Sequence, residues 1–194
     1  METQSTRQLI IEQADQLFYQ QGFEHTSFAN IAEKVKISRG NFYHHFKSKD
    51  EILKAVIEYR LHATQQMLEK WQDDDLNPDK RIRSFINILI MNQTKIKLYG
   101  CPVGTLCSEL SKLQHSLSGD ASGLFTLFRR WLTTQFQQLG FAAKSDELAM
   151  HVLARSQGIA VMANAFQDAS FIKQEVELLN SWLTHRICDE VVTH

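Results

Sequence analysis

Residues 26–53 read TSFANIAEKVKISRGNFYHHFKSKDEIL, and this stretch decides the fold. Phe28, Ile31, Ala32 and Val35 fall at i, i+3, i+4 and i+7, the spacing of one helix face, and Ser27 stands where a cap would take a free amide of the first turn. Ser38 reads as the cap of a further short helix running from Arg39 to about Phe46. In that helix Phe42 and Phe46, four apart, form a side able to dock on neighbouring helices. Two short helices joined by a few residues make a helix-turn-helix.

Outward from this core the pattern stays helical. Leu9, Ile10, Ala14, Leu17 and Phe18 place a first helix over about Thr6 to Gln21, with Gly22 able to end it in the left-handed conformation. The polar KSKD stretch leads into a long fourth helix from about Asp50 to Trp71. Asn77-Pro78-Asp79 opens a fifth, with Asn77 as cap and Pro78 at the first helical position, burying Ile82, Phe85, Ile86, Leu89 and Ile90. Gly100 and Pro102 break the pattern before a sixth helix carrying Leu106, Leu110, Leu113 and Leu117, which Ser118-Gly119-Asp120 is expected to end. A seventh, from about Ala121 to Leu139, is apolar over most of its circumference and should be central. The eighth (about Ser145 to Phe166) is rich in Ala and Gly, and the ninth runs from about Phe171 to Val191. The expectation is an all-α chain of about nine helices. The helix-turn-helix is part of a three-helix unit over residues 1–50, which precedes a larger helical part over 51–194.

Composition supports a globular helical protein: 43% of the 194 residues are hydrophobic, enough for a sizeable core, while only 2 Pro and 8 Gly interrupt the helical periodicity. The opening METQSTRQLI has neither a basic n-region nor an apolar h-region, and no stretch approaches a membrane span, so a cytoplasmic, nucleoid-associated protein is expected. Three cysteines form no even disulfide framework and no zinc-type pair. Gly-rich phosphate loops and Ser-centred elbows are absent, so no cofactor, no metal and no catalytic residues are expected.

A formal net charge of −1 conceals segregation. Residues 34–49 carry Lys34, Lys36, Arg39, Lys47 and Lys49 and no acid, a segment of +5, which leaves −6 for the rest. One basic patch on an acidic body is the footprint of a local phosphate contact.

The same stretch resembles the TetR family of one-component transcriptional regulators. Thr26, Ser27, Phe28, Ile31, Ala32, Ser38, Gly40, Phe42, Tyr43, His45, Phe46 and Lys49 match that family's helix-turn-helix in fixed order, with Phe18 and Gly22 fitting upstream. Lys36 departs from it, because the family usually has Gly at this turn; if the residue is left-handed, lysine costs about 1 kcal/mol there. The resemblance covers about the first 55 residues tightly and implies a repressor that binds a palindromic double-stranded DNA operator as a homodimer and is released by a small-molecule effector.

Within that frame, Arg39 near the start of the recognition helix can reach guanine O6 and N7, Asn41 can pair an adenine, and Gly40 permits close approach of backbone to groove. Ser38 caps this helix. Tyr43, His44, Lys47 and Lys49 lie toward its end, where hydroxyl, imidazole and ammonium groups suit phosphates, and Ser27 can present its hydroxyl and free amides to another. His45, flanked by aromatics, reads as a packed histidine.

For the C-terminal part, Val152, Ile159 and Ala163 of the eighth helix with Leu179, Trp182 and Leu183 of the ninth are the expected dimer interface. Family resemblance locates an effector pocket lined by Phe85, Leu89, Leu106, Phe125, Phe128 and Trp131, although these residues could equally fill a dry core. The stretch GCPVGTLCSELS resembles a segment of the electrophile-sensing NemR-like subgroup, which makes Cys101, at the cap before Pro102, a candidate thiol sensor; the competing reading is a small buried apolar residue. By the same resemblance, a lysine associated with tuning that thiol is replaced by Asn164. A bridge to Cys107 is excluded by a helical rise of about 9 Å. Two other functions fit less well. Nothing in residues 60–194 excludes a DNA-bound adaptor without ligand control, and a thiol enzyme would need His115 or His151 as base in no recognised arrangement.

Overall fold

The computed structural model describes residues 5–74 and 77–192, without the side chains of Arg39, Val191 and Val192. Among the described residues the regular structure is helical: α1 (Thr6–Gln21), α2 (Phe28–Val35), α3 (Arg39–His45), α4 (Lys49–Asp73), α5 (Pro78–Met91), α6 (Gln93–Tyr99), α7 (Pro102–Lys112), α8 (Ser118–Gln138), a 3-10 turn (Ala142–Lys144), α9 (Ser145–Ala165) and α10 (Ala169–Val192).

Side-chain caps set several starts. Ser5, Ser27, Ser38 and Asn77 each accept a hydrogen bond from the amide three residues on, as the sequence anticipates for the last three. Before α10 Asp168 accepts from two residues on instead: Ser170 donates both its hydroxyl and its amide to one carboxylate oxygen (2.6 and 2.8 Å) and holds the Asp168 carboxyl below its ordinary value.

Four helices end alike. After α2, α7, α8 and α9 the residues Lys36, Gln114, Gly140 and Gln167 adopt positive φ (58°, 50°, 95° and 55°). Each donates its amide to the carbonyl three residues back, while the next amide reaches the carbonyl five back, as in Lys36 N to Glu33 O (3.2 Å) and Ile37 N to Ala32 O (3.4 Å). This is the Schellman arrangement, which satisfies the last carbonyls and favours glycine; three of the four positions do without it.

Two features differ from expectation. The fifth helix breaks at Asn92, whose amide and side-chain Nδ2 both turn back to the Ile88 carbonyl (3.0 Å each), so α6 begins afresh at Gln93. The expected helices six to nine are therefore α7 to α10. Ser118-Gly119-Asp120 opens α8 instead of closing α7, with Asp120 in the favourable first turn.

The chain forms two compact units. One comprises the described chain up to Thr64 together with Pro102–Leu124, and the other comprises Gln65–Cys101 and Phe125 onward. The core of the first unit holds Ile10, Phe18, Ile31, Phe42, Phe46, Leu53, Leu106 and Leu110. That of the second holds Ile82, Phe85, Leu132, Phe136, Val152, Ile159, Ile172 and Leu183. By compactness α7 thus belongs with the helix-turn-helix. No helix among the described residues is long and apolar enough to cross a membrane.

Candidate nucleic-acid interface

The recognition helix α3 is amphipathic in seven residues. Phe42 and Phe46 are 1% and 2% exposed and sit in the core of the first unit, Phe42 meeting Phe28 edge-on at 5.1 Å. On the other side Gly40, Asn41, Tyr43 and His44 face solvent, Tyr43 at 49% exposure. Tyr43 rests on Phe28 with ring centroids 5.4 Å apart, and the two rings join Ala29, Ala32 and Phe42 in lining a shallow, largely apolar hollow of about 300 Å³. A Cβ built at Gly40 would meet nothing within 4 Å, so the fold itself does not require glycine there.

The polar candidates divide by how they are engaged. Ser27 and Asn30 form a reciprocal capping box: Ser27 Oγ accepts from Asn30 N at 3.2 Å and donates to Asn30 Oδ1 at 2.6 Å, while Ser27 N donates to the same oxygen at 2.9 Å. Ser38 Oγ accepts from Asn41 N at 3.3 Å. Lys47 sends its ammonium back to the Tyr43 carbonyl at the end of α3, where helix carbonyls attract a cation. His45 is half-buried, its ring 5.4 Å from that of His44. Arg39 occupies the first residue of α3, and its side chain lies outside the described set.

Lys49, expected at a phosphate, turns inward. Its Nζ donates to the Phe23 and Glu24 carbonyls (3.1 and 3.3 Å) and stands 4.2 Å from the centroid of the Phe23 ring. The amides of the same two residues are taken by Glu109 of α7, at 2.9 Å each. His115 packs edge-on against Phe23 at 5.1 Å; its Nδ1 accepts from Leu117 N, which leaves the ring proton on Nε2, facing Asp50 at 3.4 Å. Arg60, nearly buried, ties α4 to Asp15 of α1 and to the Pro102 carbonyl at the head of α7. Glu109 and Arg60 escaped sequence reading, because a charged residue on an amphipathic helix gives no sign of its distant partner.

The other expected sites are partly rearranged. Phe85, Leu89, Phe125, Phe128 and Trp131 share the apolar cluster of the second unit, with Trp71 against Trp131 (5.7 Å) and Phe85 against Phe128 (5.2 Å). Leu106 does not join them, being buried in the core of the first unit. Five of the six expected dimer residues, Val152, Ile159, Ala163, Leu179 and Leu183, are buried within their own subunit and so are not available to a partner; they line the inner faces of α9 and α10. Trp182 remains half-exposed and stacks on His151 at 4.4 Å. The outer face carries Met150, Val161, Met162 and Leu178, all exposed, beside exposed Ala154 and Gly158. Cys101 is half-buried against the second core, Cys107 is half-buried against the first and Cys188 is exposed; none of the three is in a disulfide. Asn164 donates Nδ2 to the Lys97 carbonyl (2.9 Å), securing the end of α6.

Comparison with known proteins gives a consistent answer. The family model described as "Bacterial regulatory proteins, tetR family" matches residues 10–56. An uncharacterized HTH-type transcriptional regulator in the lacX 3' region of Lactococcus lactis subsp. lactis is 27% identical over 181 residues, spanning 91% of this chain and 92% of that protein. A TetR transcriptional regulator from Legionella pneumophila superposes with a TM-score of 0.84 at 22% identity, over 93% of this chain and 98% of the other. Reduced NemR of E. coli does so with a TM-score of 0.76 at 19% identity, over 89% and 94%. Residues 10–56 are thus a helix-turn-helix of the tetR type, and the chain as a whole is similar in sequence to an HTH-type transcriptional regulator and in fold to TetR transcriptional regulators.

Proposed function

We propose that the protein is a repressor that binds a palindromic operator as a homodimer and leaves it when the second unit is occupied by an effector. The observation that carries the DNA-binding half is the division of α3. Its aromatic side is locked into the core by Phe42 and Phe46, while Gly40, Asn41, Tyr43 and His44 stand outside with their backbone fixed by the Ser38 cap. A rigid helix with small and polar groups projecting is what a major groove accepts. Asn41 and Arg39 are assigned to base edges. Lys34 and Lys36, both exposed, join Lys47 and His44 at phosphates, and the hollow beside Tyr43 suits a thymine methyl or a sugar edge.

A palindromic site needs two recognition helices, and the exposed apolar face of α9 and α10 supports a two-fold partner. Its small residues Ala154 and Gly158 would let helices approach closely. For the effector, the half-buried rings Trp71, Phe128 and Trp131 supply an apolar lining, and Cys101 stays a second candidate entry point as a thiol.

Fluorescence anisotropy with DNA selected from a random pool tests this reading. Tight binding to an inverted repeat by two chains is expected, with each phosphate contact removed lowering the salt slope by about one unit. Binding that shows no sequence preference at any salt concentration would overturn it.

A further inference from the structure

Trp131 of α8 carries an indole Nε1 that is buried and, among the described residues, has no acceptor. A donor withdrawn from water without a partner costs about as much as a lost hydrogen bond, and native structures hold few of them. The buried carboxamide one turn along α8 cannot serve it. Gln135, fully buried one turn on, gives its Oε1 to Arg81 Nη1 (3.3 Å) and its Nε2 to the Trp131 carbonyl (3.3 Å), so both ends of the carboxamide are committed. Trp71 lies 5.7 Å from Trp131 at 52°, Phe85 pairs with Phe128 in the same cluster, and the Arg81 guanidinium beside them reaches Gln135 and the Gln72 carbonyl. Trp71, Phe128 and Trp131 are half-buried as residues, while the Trp131 indole Nε1 is out of contact with solvent.

We infer that this aromatic site takes a neutral, ring-bearing small molecule whose carbonyl-type oxygen accepts from the Trp131 indole N–H. The rings supply stacking area and the single inward donor fixes orientation, the usual division of labour in a small-molecule site. Neutrality follows from the donors on offer: the indole N–H is itself neutral, and the Nη atoms of the nearby Arg81 are already taken by Gln135, Gln138 and the Gln72 carbonyl, so a desolvated carboxylate would lack full pairing. The inference rests on the effector-pocket reading above and names the chemical class that pocket selects.

The test uses the full-length protein and two probes of nearly equal shape, 2-acetylnaphthalene and 2-isopropenylnaphthalene, which differ by an oxygen in place of a methylene. Calorimetry is expected to give about tenfold tighter binding of the ketone, and Trp131→Phe, which keeps an aromatic ring but lacks the donor, should bind both compounds alike. In wild-type protein labelled with 15N-tryptophan, one of the three indole resonances should move downfield with the ketone and stay in place with the hydrocarbon. This measurement needs no variant at position 131, and Trp71→Phe and Trp182→Phe assign the resonance by elimination. Equal binding of both probes with no indole shift overturns the acceptor inference and leaves the apolar pocket standing. Failure of both probes to bind overturns the pocket reading together with it.

Discussion

A carboxylate oxygen of Glu109 lies 2.9 Å from the point where a Cβ on Gly22 would stand. That carboxylate is there because it accepts from the amides of Phe23 and Glu24, just as Lys49 donates to the carbonyls of the same two residues. Two oppositely charged side chains, from α7 and α4, thus satisfy all four backbone polar groups at the turn that delivers the chain into the helix-turn-helix. Gly22 has φ 89° and ψ 159°, a region at ease only for glycine. Gly22→Ala should therefore cost about 2–4 kcal/mol, from backbone strain together with displacement of Glu109. Glu109→Ala should cost about 1–2 kcal/mol, the lower part of the range for losing charged acceptors, because the Glu24 amide is exposed. Urea unfolding measures both, and a wild-type midpoint for Glu109→Ala would show that the clasp contributes nothing.

Lys49 gives a separate test, because a phosphate ligand and a backbone clasp leave different traces. Lys49→Met keeps the stem and removes the ammonium. The clasp predicts about 1–2 kcal/mol lower stability from the lost carbonyl bonds and the lost cation–π contact, with the salt slope of operator binding unchanged. A phosphate contact predicts wild-type stability and a slope lower by about one unit. Unfolding and anisotropy on one variant separate them.

The helix ends predict gains. Lys36, Gln114 and Gln167 occupy left-handed positions that cost an L side chain about 1 kcal/mol relative to glycine. Lys36→Gly and Gln114→Gly should each raise stability by somewhat less than that, about 0.5–1 kcal/mol, since glycine also gains freedom in the unfolded chain, whereas Gln167→Gly should gain less because it also removes the Nε2 bonds to the Lys97 and Asn164 carbonyls. They lie at the ends of different helices and should add nearly independently. Lys36→Gly carries a further consequence: it removes a cation beside α3, so affinity for DNA should fall as stability rises. A lower melting temperature for all three would show that the caps are relaxed with their present residues.

Association should respond to the outer faces of α9 and α10 and not to the inner ones. Val161→Asp and Trp182→Asp place a charge on the proposed two-fold face and should yield a folded monomer with weak operator binding. Leu183→Ala, on the inner face, should instead cost about 2–5 kcal/mol of stability by opening a cavity. Sedimentation velocity decides this, and a dimer that persists in both aspartate variants places the interface elsewhere.

These contrasts mark where sequence reading reaches its limit. The starts at Ser27, Ser38 and Asn77 were legible because a cap is local chemistry, with a side-chain oxygen and an amide three residues apart. The break at Asn92 was not, since apolar spacing runs through it from Ile90 to Ile96 without Gly or Pro. Leu106 shows a different blindness. Periodicity marks it as buried without saying in which core, and it joins α1 and α4 instead of the aromatic cluster. The same holds for α9, where Val152, Ile159 and Ala163 point inward and Ala154, Gly158 and Val161 outward. Both sets are apolar or small, so composition cannot tell core from interface. At α3 the faces differ in chemistry, aromatic on one side and polar on the other, and there the sequence was enough.

Gly40 offers the sharpest separation of folding from function. Its φ is not in the left-handed region and a Cβ would meet open space, so alanine fits without strain. Within α3 that substitution should stabilise the protein by about 0.5–1 kcal/mol, the ordinary difference between glycine and alanine in a helix. Nothing in the chain therefore accounts for glycine at this position. A partner does: if the backbone of the first turn of α3 comes within contact distance of a base edge or sugar, an added methyl is excluded, and operator affinity should drop by about tenfold or more, equivalent to ~1.4 kcal/mol. Gly40→Ser, slightly larger and polar, should lose at least as much. The measurements are thermal unfolding and anisotropy on the selected operator, made on the same preparation. Opposite signs are expected, stability up and affinity down. Unchanged affinity in Gly40→Ala would mean that the start of α3 stands back from the groove, and base reading would then have to pass to the side chains of Arg39 and Asn41 without backbone contact.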